Sequence, residues 1–84
     1  FNPAKGESAR LDYTIDNDGQ VTIKMYNIVG ELVRTLVDES RSAGTYIESW
    51  NGKNDNGETV ASGIYLCFIE APGIKVIKKA AVIK

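Results

Sequence analysis

Residues 8–25 read SARLDYTIDNDGQVTIKM and contain the pattern that decides the fold. Apolar and polar side chains alternate over residues 9–15, the turn-forming run Asn17-Asp18-Gly19 interrupts them, and the alternation resumes over residues 20–25. A period of two indicates strands with one buried face. Asp-Gly between two such runs is a strong hairpin signal, because both turn residues need a positive φ. The pattern predicts that the first two strands pair antiparallel.

Strand patterns continue along the rest of the chain. Further strands are predicted at residues 32–37, 44–50, 64–71 and 74–83. The apolar spacing of the first of these suits a helical turn as well as a bulged strand, and its short length and hairpin-like neighbours favour the strand. The polar residues 38–43 are predicted to form a loop, and Asn51–Gly57 is rich in turn formers. Gly63 opens its strand and, like Gly19, is predicted to adopt a positive φ. Short strands separated by frequent turns predict an all-β fold, an immunoglobulin-like (fibronectin III-like) antiparallel β-sandwich of six to seven strands.

The predicted core contains Trp50, Tyr65, Tyr46, Ile23 and Cys67. Tyr65 follows the long polar corner, where immunoglobulin-like sandwiches place a tyrosine whose hydroxyl bonds back to the backbone. Cys67 lies two residues further, where antibody domains hold a bridging cysteine, and a buried aliphatic residue such as Ile23 is expected to fill the place of the missing partner. Large aromatic residues dominate small cores, which favours burial of Tyr46 and Trp50.

Composition excludes several classes of function. The chain has 84 residues, which suits a single domain (residues 1–84), and a net charge of −1 from ten basic and eleven acidic side chains. This balance argues against a nucleic-acid partner, which needs a concentrated basic face. No apolar run approaches the roughly 20 residues that span a bilayer, and no leader-like segment opens the chain. With no histidine and one cysteine, the chain offers no disulfide and no nucleophile–histidine pair, and we expect no catalysis and no cofactor.

Three features have a binding interpretation beside a structural one. Residues 51–58 carry oxygen side chains that could bind calcium, but the same residue types are what turns demand, and we expect no metal site. Tyr46 and Trp50 could stack on a sugar, as in a carbohydrate-binding module, although the core interpretation is favoured. Cys67 has apolar neighbours in sequence, which favours a buried thiol over a reactive one.

One strand is apolar on both faces. If Tyr65 and Cys67 point inward, then Ile64, Leu66 and Phe68 point outward, where an antiparallel sandwich normally presents polar residues. Exposed apolar stripes mark contacts. We expect this stripe to be covered by a preceding domain of a larger protein, by another copy in weak self-association, or by loops of the chain itself.

Several blocks of the sequence resemble a known family. They are VTIKMYNIVGELVRTL at residues 21–36, AGTY at 43–46, WNGKNDNG at 50–57 and ASGIY at 61–65. Together they resemble the FlgD-like immunoglobulin domain, a body that also occurs in C-terminal sorting domains of the type IX secretion system. FNP at the start of the chain and KKAAVIK at residues 78–84 look like the opening and closing motifs of the sorting branch.

The resemblance implies an immunoglobulin-like fold and a non-catalytic role. Its sorting branch implies a C-terminal accessory domain of a secreted or cell-surface bacterial protein, passing through the periplasm and recognised by the secretion machinery through Lys78, Lys79 and Lys84. The first alternative is a FlgD-like domain that scaffolds flagellar hook assembly. The second is the carbohydrate-binding module.

Overall fold

Six strands are arranged in two antiparallel sheets. The computed structural model describes residues 1–84. After a short 3-10 turn at Pro3–Lys5, the strands are β1 (Ala9–Ile15), β2 (Gly19–Asn27), β3 (Leu32–Arg41), β4 (Gly44–Trp50), β5 (Gly63–Ala71) and β6 (Ile74–Val82). One sheet has two strands, β1 and β4, and the other has the order β3-β2-β5-β6. The predicted all-β immunoglobulin-like sandwich is confirmed.

The two sheets bury one shared core. Each strand contributes its inward side chains, and those that are almost completely enclosed are Trp50, Ile15, Ile23, Met25, Ile69, Val21 and Val82. A cavity of about 80 Å³ remains between β1 and the four-stranded sheet, beside Leu11, Met25, Trp50 and Cys67. No buried side-chain nitrogen or oxygen lacks a hydrogen-bond partner. The core is therefore apolar, with its polar groups satisfied at its margins.

The predicted hairpin between the first two strands is wrong. β1 pairs with β4, while β2 pairs with β3 and β5, so Asp16–Asp18 carries the chain from one sheet to the other. The Asp18 carboxylate accepts a hydrogen bond from the backbone N–H of Ala43 at 2.8 Å, which ties this crossing to the start of β4. The alternating pattern establishes which side of a strand is buried, but it does not establish which strand is its neighbour.

Gly19 is needed for a reason other than the predicted positive φ. Its φ is not positive, but a Cβ built there would lie 2.6 Å from Cγ of Pro72, so only glycine allows the β5–β6 turn to approach this closely. Gly63 does have a positive φ of 157°, close to extended backbone, with open space around its Cα.

β3 is longer than predicted, and it is bulged. Its register against β2 passes over Leu36 and Val33, which explains the irregular spacing of its apolar residues and confirms the bulged strand. The predicted loop at residues 38–43 is wrong, because β3 continues to Arg41 along the edge of the sheet. An edge strand needs few apolar side chains, so its polar end resembles a loop in sequence.

The position predicted for Ile23 also needs correction. Ile23 is fully buried, but it lies in the same sheet as Cys67 and pairs with Ile69. It therefore cannot occupy the place across the sandwich from Cys67. Leu11 of β1 and Trp50 of β4, in the opposite sheet, line the cavity beside the thiol instead.

Candidate docking surface

The outer surface of the four-stranded sheet is apolar over most of its width. The outward residues of β5 are Ile64, Leu66, Phe68 and Glu70, the first three of them apolar, and the strand registers place neighbours on the same side. Six side chains form this apolar face: Leu32, Tyr26, Ile64, Leu66, Phe68 and Ile77. All four strands contribute to it, so the predicted stripe on one strand is part of a wider surface.

The apolar face is exposed to solvent although its centre is well packed. The rings of Tyr26 and Phe68 meet edge to face with centroids 4.9 Å apart. The exposed fractions are 39% for Phe68, 46% for Ile64, 49% for Leu32 and 60% for Ile77. The exposed apolar residues Ile28 and Val29 lie in the β2–β3 turn, at the end of the sheet where β5 begins. Most of the exposed apolar surface of the molecule is therefore concentrated on this sheet and at this end.

Two lysines interrupt the apolar face. Lys24 lies opposite Phe68, and Lys79 lies opposite Leu66. Neither is within ion-pair distance of a carboxylate, because every ion pair in the molecule involves an arginine. The nearest acidic positions on this side of the sheet are Asp38 and Glu70, one cross-strand row further from the apolar end. The charge within the apolar face is therefore entirely positive.

The three lysines predicted for partner recognition do not share one surface. Lys79 points outward, while Lys78 pairs with Cys67 and points to the inner side at the sheet edge. Lys84 follows β6, and its backbone N–H donates to the Ser62 hydroxyl at 3.1 Å. The alternation of side chains along β6 separates Lys78 from Lys79, so adjacency in sequence does not produce a lysine cluster.

The free edge of β6 is covered at one end by the start of the chain. The Phe1 nitrogen donates to the Ala81 carbonyl at 2.7 Å, and the Phe1 carbonyl accepts from the Ile83 N–H at 2.9 Å. The Phe1 ring packs edge to face on Trp50. The remaining edge of β6 is unpaired and carries Lys75, a type of residue that discourages strand addition.

Trp50 is unavailable for sugar stacking. It is 2% exposed, and its indole N–H donates to the Lys53 carbonyl at 2.9 Å. The Tyr65 ring lies against it with centroids 5.3 Å apart, and the Tyr65 hydroxyl donates to the Ala61 carbonyl at 2.7 Å, the predicted tyrosine corner. This packing removes the aromatic platform on which the carbohydrate-binding alternative depends.

A polar cluster at the margin of the core links the two sheets. Arg41 of β3 donates to the Glu48 carboxylate at 2.6 Å and to the Tyr13 hydroxyl at 2.7 Å. Tyr46, predicted to be core, is half-buried here, with its ring stacked on Tyr13 at 5.6 Å and the Arg41 guanidinium 5.0 Å from its centroid. Burial and then the hydrogen bond to Glu48 raise the pKa of Tyr13 to about 12, and the hydrogen bond from Arg41 to Glu48 raises the pKa of Arg41.

Sequence reasoning missed this cluster because Arg41 was assigned to a loop. A signal for it exists in the alternation of β4, which points Glu48 inward between Tyr46 and Trp50. A carboxylate that faces a core needs a cation or several donors. That requirement could have indicated a basic partner from the opposite sheet.

The loop at residues 51–58 uses its oxygens on its own backbone. The Asn54 side chain accepts from the N–H groups of Asn56 and Glu58, and the Asp55 carboxylate accepts from the N–H of Thr35. These are turn and loop-anchoring contacts. No group of three acidic, cysteine or histidine side chains is placed to hold a metal ion.

Cys67 is a buried free thiol, 5% exposed. Burial raises its pKa to about 11, although the charge of Lys78 acts in the opposite direction. At neutral pH the group is therefore a protonated thiol within the core, which suits packing better than nucleophilic chemistry.

The comparisons with known proteins identify the family. Residues 2–72 match the FlgD Ig-like domain. The chain belongs to that family. Among solved structures, FlgD from P. aeruginosa matches this FlgD Ig-like domain with a TM-score of 0.63 and 16% identity, over 88% of this chain and 59% of the other. The chain thus spans about 59% of the length of that relative, and the likeness shows the shared fold. No curated protein matches the sequence.

These findings correct the functional expectation. The family and the solved relative are FlgD-like, so the expected extracellular or cell-surface location is wrong, and nothing in the comparisons supports the type IX sorting branch. The FlgD Ig-like match also stops before the KKAAVIK segment on which the sorting interpretation depended. The family is a non-enzymatic, scaffold type of domain. No helix is long and apolar enough to cross a membrane.

Proposed function

We propose that the chain is a non-catalytic scaffold domain of a FlgD-like protein, and that it serves flagellar hook assembly as one domain of a longer protein. Membership of the FlgD Ig-like family supports the assembly role. The partial coverage of the matching FlgD structure supports the place within a longer chain. In this role the sandwich is a rigid body that presents a surface to other components.

The observation that carries the scaffold role is the apolar face. Four of its members, including Phe68 and Ile77, are among the large apolar side chains that remain exposed in the folded chain. Contiguous exposed apolar surface on a sheet mostly marks a site of protein contact. Its members come from all four strands of one sheet, so the docking surface is as rigid as the fold itself.

The titratable groups of the chain also suit a scaffold. The Cys67 thiol is buried and protonated, and the Tyr13 hydroxyl is held between Arg41 and Glu48. The groups with raised pKa values are therefore engaged in packing or ion pairing within the sandwich, so they support structure and not turnover.

The function is tested by removing the domain in the bacterium that encodes it. Hooks counted by electron microscopy should be lost when residues 1–84 are deleted in frame and restored by the wild-type gene. Ile77→Ser on the apolar face should reduce hook number. Ile47→Ser is the matched control, because Ile47 is 57% exposed against 60% for Ile77 but lies on the other sheet. Normal hooks after the deletion would contradict the proposal.

A further inference from the structure

We infer that the partner of the apolar face is a separate protein whose contact surface carries aspartate or glutamate between apolar side chains. This inference rests on the proposed scaffold function and adds the chemistry of the partner. Its basis is the arrangement of charge within the apolar face.

The lysines of the apolar face are placed to be paired by something outside the chain. Lys24 and Lys79 lie on neighbouring cross-strand rows, one beside Phe68 and the other beside Leu66. No carboxylate of this chain is within 4.0 Å of either amine. An apolar partner without acidic groups would remove water from these ammonium groups and leave them without a counter-charge, which is costly. A partner with carboxylates opposite them would replace the lost water with ion pairs.

The arrangement of polar groups on the other sheet strengthens this argument. There the Arg10 guanidinium lies 2.8 Å from the Asp12 carboxylate, and the hydroxyls of Thr14 and Thr45 lie 3.0 Å apart. These outward polar groups of the two-stranded sheet are therefore paired within the chain. No lysine of the chain is ion-paired, and Lys24 and Lys79 are the two that lie within the apolar face.

A second copy of this chain is a poorer occupant. In a symmetric dimer the same patch meets itself. Lys24 and Lys79 would then meet a surface that has lysines and no carboxylates in its apolar part. Like charges across an interface oppose association. The charge of the apolar face thus favours a different, acidic protein.

The test is a titration of the folded chain with two synthetic amphipathic peptides, followed by NMR. Both carry a leucine stripe; one has glutamates beside it, and the other has lysines at the same positions. We expect the glutamate peptide to shift the amide signals of Ile64, Phe68 and Ile77, and to bind at least about tenfold more tightly than the lysine peptide. Its affinity should fall as salt is raised, since salt screens exposed charges.

Charge variants separate recognition from folding. The double variant Lys24→Glu with Lys79→Glu should lower the affinity for the glutamate peptide about tenfold or more. Lys5→Glu with Lys53→Glu changes the net charge equally at exposed lysines away from the apolar face and should leave the affinity unchanged. If the first variant melts early, Lys24→Gln with Lys79→Gln removes the same charges without adding new ones and should show a smaller loss.

Four results would overturn the inference. These are equal affinity for the two peptides, equal weakening by both double variants, binding to phosphatidylglycerol vesicles without binding to the glutamate peptide, and shifts at the apolar face that depend only on protein concentration. The last two would assign the face to an anionic membrane or to a second copy. None of these depends on hook assembly, so a failure here is distinguishable from normal hooks after deletion of the domain.

Discussion

The two sheets present outer surfaces of opposite character. On the two-stranded sheet, outward groups are satisfied by their neighbours, as in the Arg10–Asp12 ion pair and the Thr14–Thr45 hydrogen bond, and Ile47 is an isolated exposed apolar residue. On the four-stranded sheet, the apolar face occupies one end of the outer surface, and its two lysines have no ion-pair partner within the chain. The outer surface of the two-stranded sheet pairs polar groups within the chain, whereas the apolar face contains lysines that no carboxylate of the chain pairs.

This difference shows that exposure alone is a poor guide to a functional surface. Ile47 and Ile77 have nearly equal exposed fractions, but Ile47 lies among polar pairs and Ile77 lies beside Phe68 on an apolar face. Apolar atoms contribute much of any protein surface, so a single exposed isoleucine carries little information. Contiguity and unpaired charge distinguish the two sheets.

The largest loss of stability is expected from removal of the largest side chain in the core shared by the two sheets. Trp50→Ala should lower the free energy of unfolding by about 3–5 kcal/mol, because the cavity it leaves between Phe1 and Tyr65 is too large to close. That loss is comparable to the whole stability of a small domain. Urea unfolding would measure it, with Ser49→Ala, an outward neighbour, as the control. A wild-type midpoint for Trp50→Ala would show that the tryptophan is not part of the core.

The polar cluster that links the two sheets should contribute less to the free energy of unfolding. Glu48→Gln keeps the shape of the side chain but removes the charge that Arg41 and Tyr13 contact, and we expect a loss of about 1–2 kcal/mol. Glu39→Gln removes an exposed carboxylate 3.3 Å from the same arginine and should cost less than about 0.5 kcal/mol. Equal losses for the two variants would mean that the inward position of Glu48 adds nothing.

The crossing between the sheets allows a third test. Gly19→Ala introduces a Cβ that would lie 2.6 Å from Cγ of Pro72, so the β5–β6 turn must move, at a cost of about 1 kcal/mol. Pro72→Ala removes the atom in conflict, and the double variant should recover part of the loss, since the two positions are in contact. If the losses of the two single variants simply added up in the double variant, the destabilisation by Gly19→Ala would not come from the contact with Pro72.

Alkaline pH should lower the free energy of unfolding gradually. The pKa values of Cys67 and Tyr13 are raised to about 11 and about 12, from ordinary values of 9.0 and 10.0. Between about pH 9 and pH 12 the unfolded chain loses these protons before the folded chain does, so the free energy of unfolding falls as pH rises. Well below pH 9 both groups stay protonated in the folded and the unfolded chain, so neither makes the free energy of unfolding depend on pH. Denaturant midpoints measured between pH 7 and pH 11.5 would show this fall in stability. A constant midpoint would contradict the raised pKa values of both groups.

The smallest effect on stability should come from the matched pair of exposed isoleucines. Ile77→Ser and Ile47→Ser should each change the free energy of unfolding by about 0.5 kcal/mol or less, because neither side chain is buried. Only Ile77→Ser should weaken binding of the glutamate peptide. If both variants weakened binding equally, the two outer surfaces would not differ in function.

The sequence predicts well which side chains of each strand face the core and which face solvent. The alternation around Tyr65 and Cys67 places Ile64 and Phe68 outward, and the structure has them there. This inference needs only local geometry, since successive side chains in a strand point to opposite sides. The pairing of β1 with β4 could not be predicted in this way. It depends on how the two sheets pack, and no residue of the turn before Gly19 indicates it.

The apolar face also has a part that local sequence predicts and a part that depends on strand pairing. Ile64, Leu66 and Phe68 are predictable because they belong to one strand. Tyr26 and Ile77 join them only through the register with β2 and β6, which no local pattern specifies. Blocks such as WNGKNDNG are shared by the branches of the family and do not distinguish them. The lysines of KKAAVIK resemble one motif in sequence, but the alternation of β6 separates Lys78 from Lys79.

The pairing of β1 with β4 has a consequence for the time course of folding. The whole β2–β3 hairpin lies between these two strands in sequence, so its short turn can close long before β1 finds β4. During synthesis the two-stranded sheet becomes possible once Trp50 has emerged, while β5 and β6 are still missing. Until those strands emerge, the incomplete sandwich exposes its inner apolar side and an unpaired edge of β2, a state that favours aggregation.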